Sequence, residues 1–290
     1  MLNGLSLSWS WSPGGLLCLV VLALLYLLRL RQIFRSHQED PQAPTVSKVR
    51  IASFFCGLLL FAALFFSPIQ TIGRTQLFLI HMAEVVTLTT FCAPLLLGGC
   101  SEVVLRPILD IPIVSTVVRF LTNPVVASVI FNATFLLWHA PKIYNASTPN
   151  AELYNTMMLS IFLTSLLNWW PIIGSLSELK KHGYPLQMLY VILDGQPLDI
   201  FAFVLVYSGV PLYHYHIPTQ IGVNTFGDQA AAGALLLLPG LVDLGVLSPL
   251  FISWMGQLEH KTRAADQRRL EESMEYEDEE EEEDVEIEAR

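Results

Sequence analysis

Charge is what this sequence has least of. Only 14% of its 290 residues are Asp, Glu, Lys or Arg, against 53% apolar. That balance leaves too few solvating groups for a water-soluble domain of this length and suits a bundle embedded in lipid. The net charge of −10 does not change the picture. Between residues 264 and 290 there are 14 acids against three arginines, a sum of −11, so the remaining 263 residues carry +1. The run 279–284 repels itself and has too few apolar groups to fold alone. The expected organisation is a helix bundle over residues 1–260 and a disordered acidic cytoplasmic tail over 261–290.

Cysteine is scarce too. Cys18, Cys56, Cys92 and Cys100 fall in or beside apolar segments with no CxxC spacing, which argues against a disulfide framework and a thiolate metal clip. The first 15 residues carry no Lys or Arg, so the basic start of a cleavable signal peptide is missing and the first apolar run is expected to stay in the protein. There is no GxxxxGK[ST], GxSxG, HExxH or GxGxxG motif. Hydrolytic or nucleotide-driven catalysis therefore has no visible machinery, and neither an enzyme activity nor a nucleic-acid partner is expected.

What is present is a series of long apolar runs. A helix crossing about 30 Å of hydrocarbon needs roughly 20 mainly apolar residues. Seven segments qualify, near 15–30, 51–69, 76–97, 124–139, 153–173, 185–210 and 229–254, the first and fourth being short. The stretch 111–121, with Pro107 and Pro112 around its start, reads as an interfacial or re-entrant piece. Of the 16 basic residues, 14 fall on one side of these spans, leaving Arg74 and Lys142 on the other. The positive-inside rule then puts the N-terminus outside and the C-terminus inside. The fold class expected is an all-α polytopic membrane bundle of about seven transmembrane helices.

Sidedness sorts the histidines. His37, His182 and His260 lie in charge-rich cytoplasmic segments, whereas His81, His139, His214 and His216 all lie at or near the outer end. Imidazoles from several helices meeting inside a bundle are one way to hold copper or zinc. Ordinary interfacial hydrogen bonding and contact with haem or quinone remain alternatives. Met82 follows His81, and Glu84 lies three residues on, on the same helical face. Met157 and Met158 carry thioethers that suit Cu(I), or simply fill the core.

Carboxyl groups inside spans are costly and usually have buried partners. Asp194 and Asp199 lie in the sixth span and Asp243 in the seventh, with Asp194 and Asp243 expected to face each other at similar depth. Either a structural hydrogen-bonding role or a proton or ion path fits them. Gly195 and Pro197 allow a kink between the first two.

Taken in order, several short motifs resemble the polytopic CtaG-type cytochrome c oxidase assembly factors of bacteria. They are His81-Met82 with Ala93-Pro94-Leu95-Leu96-Leu97-Gly98-Gly99 after it, then Asn123-Pro124, Trp138-His139-Ala140-Pro141 and Tyr144. Trp169-Trp170-Pro171-Ile172, Tyr213 and Asp228-Gln229-Ala230-Ala231-Ala232-Gly233 follow. The resemblance implies a protein of the bacterial plasma membrane whose partner is a haem-copper oxidase subunit, which it helps to acquire copper from the outer face. It favours His81 and His139 as functional, with Asp228 and Gln229 at the mouth of the seventh helix; Met82, His214 and His216 are further candidate ligands from their outer-end placement in the sequence. Two departures bear on the site. Many members carry a second histidine four residues after the first, where Val85 stands here, and often a Glu-His pair in the fifth span, where this chain has Tyr154-Asn155 or Asn155-Thr156. A site rebuilt with His214 or His216, or one that no longer binds copper, would account for them. A copper or ion transporter using Asp194, Asp199 and Asp243 is the competing functional class.

Overall fold

The structure, a computed structural model, describes residue 5 and residues 7–176 and 183–288. Lys180, Lys181 and His182 lie outside the described residues. All regular structure among the described residues is helical, with no strand. In chain order the helices are α1 (Pro13–Glu39), α2 (Lys48–Phe66), α3 (Pro68–Thr75) and α4 (Phe78–Val86). A π-helical turn (Thr87–Cys92) joins α4 to α5 (Ala93–Gly99). Next come α6 (Glu102–Leu109), α7 (Pro112–Leu121), α8 (Pro124–His139), α9 (Pro141–Ser147), α10 (Ala151–Ile173), α11 (Tyr184–Tyr207), α12 (Thr225–Leu236) and α13 (Pro239–Glu288).

Among the described residues, six helical runs are long and apolar enough to cross a membrane, and a seventh results if α7 and α8, bent by 70°, form one broken span. The outward surface is what lipid requires: Leu17, Leu59 and Val125 are 67%, 72% and 71% exposed, an apolar coat that water would not tolerate over such an area.

Proline and small polar residues move the span ends away from those expected. α1 continues to Glu39, well past 30. α2 stops at Phe66 rather than 69, because Pro68 disfavours helical geometry at Ser67, whose hydroxyl accepts from Ile69 N at 3.2 Å and caps α3 instead. The third span is interrupted by the π turn, where Trp169 Nε1 donates to Thr89 O at 2.7 Å. The fourth is 16 residues, extended by α7 folded against its start. The seventh begins earlier, at Thr225, and breaks between Leu236 and Pro239.

The acidic segment continues α13 through Glu288, where the sequence suggested an irregular tail. Glu, Arg, Ala and Leu are strong helix formers, and no proline follows Pro249 to stop a helix already begun. Residues 261–274 are exposed throughout.

Inside the bundle, α2 and α5 touch through glycine. A Cβ on Gly99 would lie 2.6 Å from Phe54 Cβ, a close approach of the kind small residues permit between membrane helices. Tyr26 seals the contact from α1: its ring stacks on Phe54 at 3.7 Å and its hydroxyl donates to Gly99 O at 3.1 Å. At the same end, Arg50 donates to Gly98 O and Ser175 Oγ, and Arg29 donates to Val103 O.

Candidate metal-handling site

α4 and α8 bring His81 and His139 together in a core without water-accessible surface, both being 0% exposed. The two Nε2 atoms are 3.1 Å apart. The other nitrogen of each ring is held by the bundle. His139 Nδ1 is 2.8 Å from Phe135 O; a carbonyl only accepts, so that nitrogen carries hydrogen and a neutral His139 presents a lone pair at Nε2. His81 Nδ1 is 2.7 Å from the Tyr154 hydroxyl, which donates to Glu84 Oε2 at 3.0 Å. With the Tyr154 proton directed to Glu84, His81 Nδ1–H donates to the phenol oxygen and His81 Nε2 also presents a lone pair. Two lone pairs at this distance repel unless an electrophile, a proton or a metal cation, lies between them. The opposite arrangement, with Glu84 protonated and donating to Tyr154, puts a hydrogen on His81 Nε2. Glu84 thus decides, through Tyr154, which way the pair is polarised.

Aromatic rings wall the pair in. Phe135 stacks on His139 with centroids 4.1 Å apart, and Tyr144 lies 4.9 Å from His81. Tyr213 packs edge-on to Tyr144 and its hydroxyl donates to His139 O at 2.6 Å. Burial, with the neighbouring phenol Tyr213 as a further cause, pushes the Tyr144 hydroxyl well above its ordinary range, and burial does the same to Tyr213. Both stay neutral. α3 covers the Glu84 side. Gly73 is required there, since an added Cβ would collide with Glu84 Oε2 and sit 3.0 Å from His81 N. Among the described residues, Glu84 Oε1 is buried without a hydrogen-bond partner.

The remaining candidates sort clearly. His214 is exposed and bonded to Asn145, through its backbone N–H at 2.9 Å and its ring Nδ1 at 3.0 Å, and His216 is exposed. The idea that they rebuild the pair is not met. The residue at His81 Nδ1 is Tyr154, which stands at the glutamate of the resembling family's Glu-His pair when Tyr154-Asn155, and not Asn155-Thr156, is set against that pair. In the sequence Tyr154 is visible only as a departure from the family pattern, although a phenol in an apolar span is itself a signal. Met82, Met157 and Met158 are buried in the apolar core. Among the described residues, no group of three or more His, Cys, Asp or Glu converges as a metal site.

The pair alone fits two positions of a metal ion. Its 3.1 Å spacing suits neighbouring ligands with metal–nitrogen bonds of about 2.0 Å and is short of the roughly 4 Å needed by ligands directly across an ion.

Asp228 and Gln229 lie beside this centre. Asp228 Oδ2 accepts from Phe78 N at 2.7 Å and from Tyr215 OH at 2.7 Å. Gln229 Oε1 accepts from Leu212 N at 2.7 Å, while its Nε2 donates to Leu205 O and Ser208 Oγ. The intramembrane acids form a separate cluster. Asp194 Oδ1 accepts from Ser128 at 2.5 Å and Asn132 at 3.0 Å, and Oδ2 from Asn168 at 2.5 Å. Asp194 and Asp243 line one cavity of about 70 Å³, as their matched depth suggested. Asp199 lies five residues further along α11, half-buried.

A family model described as cytochrome c oxidase caa3 assembly factor (Caa3_CtaG) matches residues 24–257, nearly the whole bundle. The chain belongs to that family. The match spans both histidines, Tyr154 and the Asp228-Gln229 pair, and so covers every component of the buried centre of this caa3 assembly factor. No curated protein and no solved structure gives a significant match.

Proposed function

We propose that this assembly factor is a non-enzymatic copper handler that sits in the bacterial plasma membrane and serves a haem-copper oxidase subunit from the outer side. Copper is its cargo. The observation that carries the reading is the His81–His139 pair: two imidazole nitrogens facing each other at 3.1 Å in a buried, aromatic-walled site. Imidazole suits copper, and two protein ligands hold an ion less completely than a closed four-ligand site, which suits a cargo that must be passed on. Tyr154 and Glu84 orient His81 from behind, and the Glu84 carboxylate supplies a counter-charge through the phenol when a cation enters.

The competing reading, an ion path through the intramembrane aspartates, has less support. Three donors from this chain already hold Asp194, as a structural carboxyl group requires.

Deleting the gene in a strain that depends on the oxidase tests the proposal. Assembled oxidase should fall, copper supplementation should restore part of it, and a His81→Ala, His139→Ala double variant should fail to complement. Purified wild-type protein loaded with copper should retain the metal, and the double variant should not. Unchanged oxidase levels in the deletion, or equal copper in both proteins, would overturn it.

A further inference from the structure

The first turn of a helix leaves amide hydrogens with no acceptor inside the helix. In α4, which carries His81, the N-cap residue is Leu77, whose side chain provides none. The acceptor comes from 150 residues away: Asp228, 2% exposed, takes Phe78 N at 2.7 Å and approaches Leu79 N at 3.4 Å. A carboxylate is the favoured partner for the positive end of a helix. Tyr215 fixes the carboxylate by donating to Oδ2.

The same loop reaches the other histidine. Gln229 knots the chain after α11 by bonding Leu205 O, Ser208 Oγ, Val210 O and Leu212 N. The next residue, Tyr213, donates to the carbonyl of His139 at 2.6 Å and stacks its ring on Phe78 at 4.4 Å. One loop therefore grips α4 three residues before His81 and α8 at His139 itself.

We propose that Asp228, Tyr215 and Tyr213 are positioning residues for the histidine pair: Asp228 caps α4 from another helix, and the loop it anchors clamps α4 to α8. The spacing of the two Nε2 atoms is then set outside the helices that carry them. This proposal takes the pair as the working site described under the proposed function, although one of its tests needs no metal.

In metal-free, 15N-histidine-labelled protein, the His81 and His139 ring signals are assigned by loss in the single alanine variants. Asp228→Ala should shift both sets, and Tyr213→Phe should shift those of His139. Cu(II) titration of the same proteins should show roughly 10–100-fold weaker binding for Asp228→Ala, the usual scale for losing a residue that orients a metal ligand. Asp228→Asn keeps an oxygen for Phe78 N and should stay within about threefold of wild type. Adding Leu77→Asn to Asp228→Ala supplies a local cap and should recover most of the loss. Gly99→Ala, which disturbs the distant α2–α5 contact, should lower thermal stability and leave ring signals and Cu(II) affinity unchanged.

If wild type binds no Cu(II) but Asp228→Ala still moves the ring signals, the positioning role stands and the copper reading falls. If wild type binds and Asp228→Ala or Tyr213→Phe leaves ring signals and affinity unaltered, the positioning role is overturned. Should Asp228→Ala fail to fold, Tyr213→Phe decides the same question on the His139 signals and the affinity.

Discussion

Tyr154 is the most informative residue to change. Tyr154→Phe keeps the ring, which is 0% exposed, and removes one oxygen that serves both His81 Nδ1 and Glu84 Oε2. Because Glu84 Oε1 has no partner among the described residues, the variant takes the Tyr154 hydrogen bond from the buried carboxyl and leaves His81 Nδ1 without its phenol. A buried polar group deprived of its partner costs about 1–3 kcal/mol. Hydrogen bonds between membrane helices measure nearer 0.6 kcal/mol on average. Two lost bonds therefore amount to about 1–4 kcal/mol, or a fall in Tm of roughly 2–10 °C for a chain of this size. The assay is thermal unfolding in detergent, followed by size-exclusion recovery, with Tyr207→Phe as the control because Tyr207 is 77% exposed. Copper retention should fall with it, since His81 loses the group that turns its lone pair toward His139. A Tyr154→Phe protein that matches wild type in both Tm and copper content would refute the hydrogen-bonded network as described.

Other consequences can be measured with the same preparations. Gly73→Ala should destabilise by about 1–3 kcal/mol through overpacking against Glu84 and His81, whereas Gly240→Ala, with open space around its Cβ position, should be neutral or slightly stabilising in a thermal scan. Asp194→Leu should lower Tm by several degrees because Ser128, Asn132 and Asn168 lose their shared acceptor, at about 1–3 kcal/mol; copper retention by the histidine pair should be unaffected. Truncation after His260 should leave the Tm of the bundle within error of the full chain, since residues 261–274 are exposed. It should also remove helical signal from the far-ultraviolet circular dichroism spectrum.

Composition was enough to identify the solvent, and hydropathy was enough to place the candidate spans, because the hydrocarbon core imposes a length that any crossing helix must meet. Proline and serine carried part of the boundary information, as at Ser67-Pro68, but the π turn at Thr87–Cys92 and the break before Pro239 depend on partners such as Trp169. The candidate site was half legible. His81 and His139 stood out as polar residues near one end of the bundle, and family motifs favoured them. Their pairing, the exclusion of His214 and His216, and the roles of Tyr154, Tyr213 and Asp228 were not readable. A soluble helix announces its inner face by periodicity, but a membrane helix is apolar all round. Its rotation, and hence which side chains meet at 3 Å, is fixed only when neighbouring helices pack. The sequence by itself determined that apolar segments of membrane-crossing length recur along the chain, six to seven of which the structure forms as helices long enough to span. Tertiary structure alone decided that His81 and His139 face each other, because hydrogen bonds from α10, α12 and the loop after α11 hold α4 and α8 in that register.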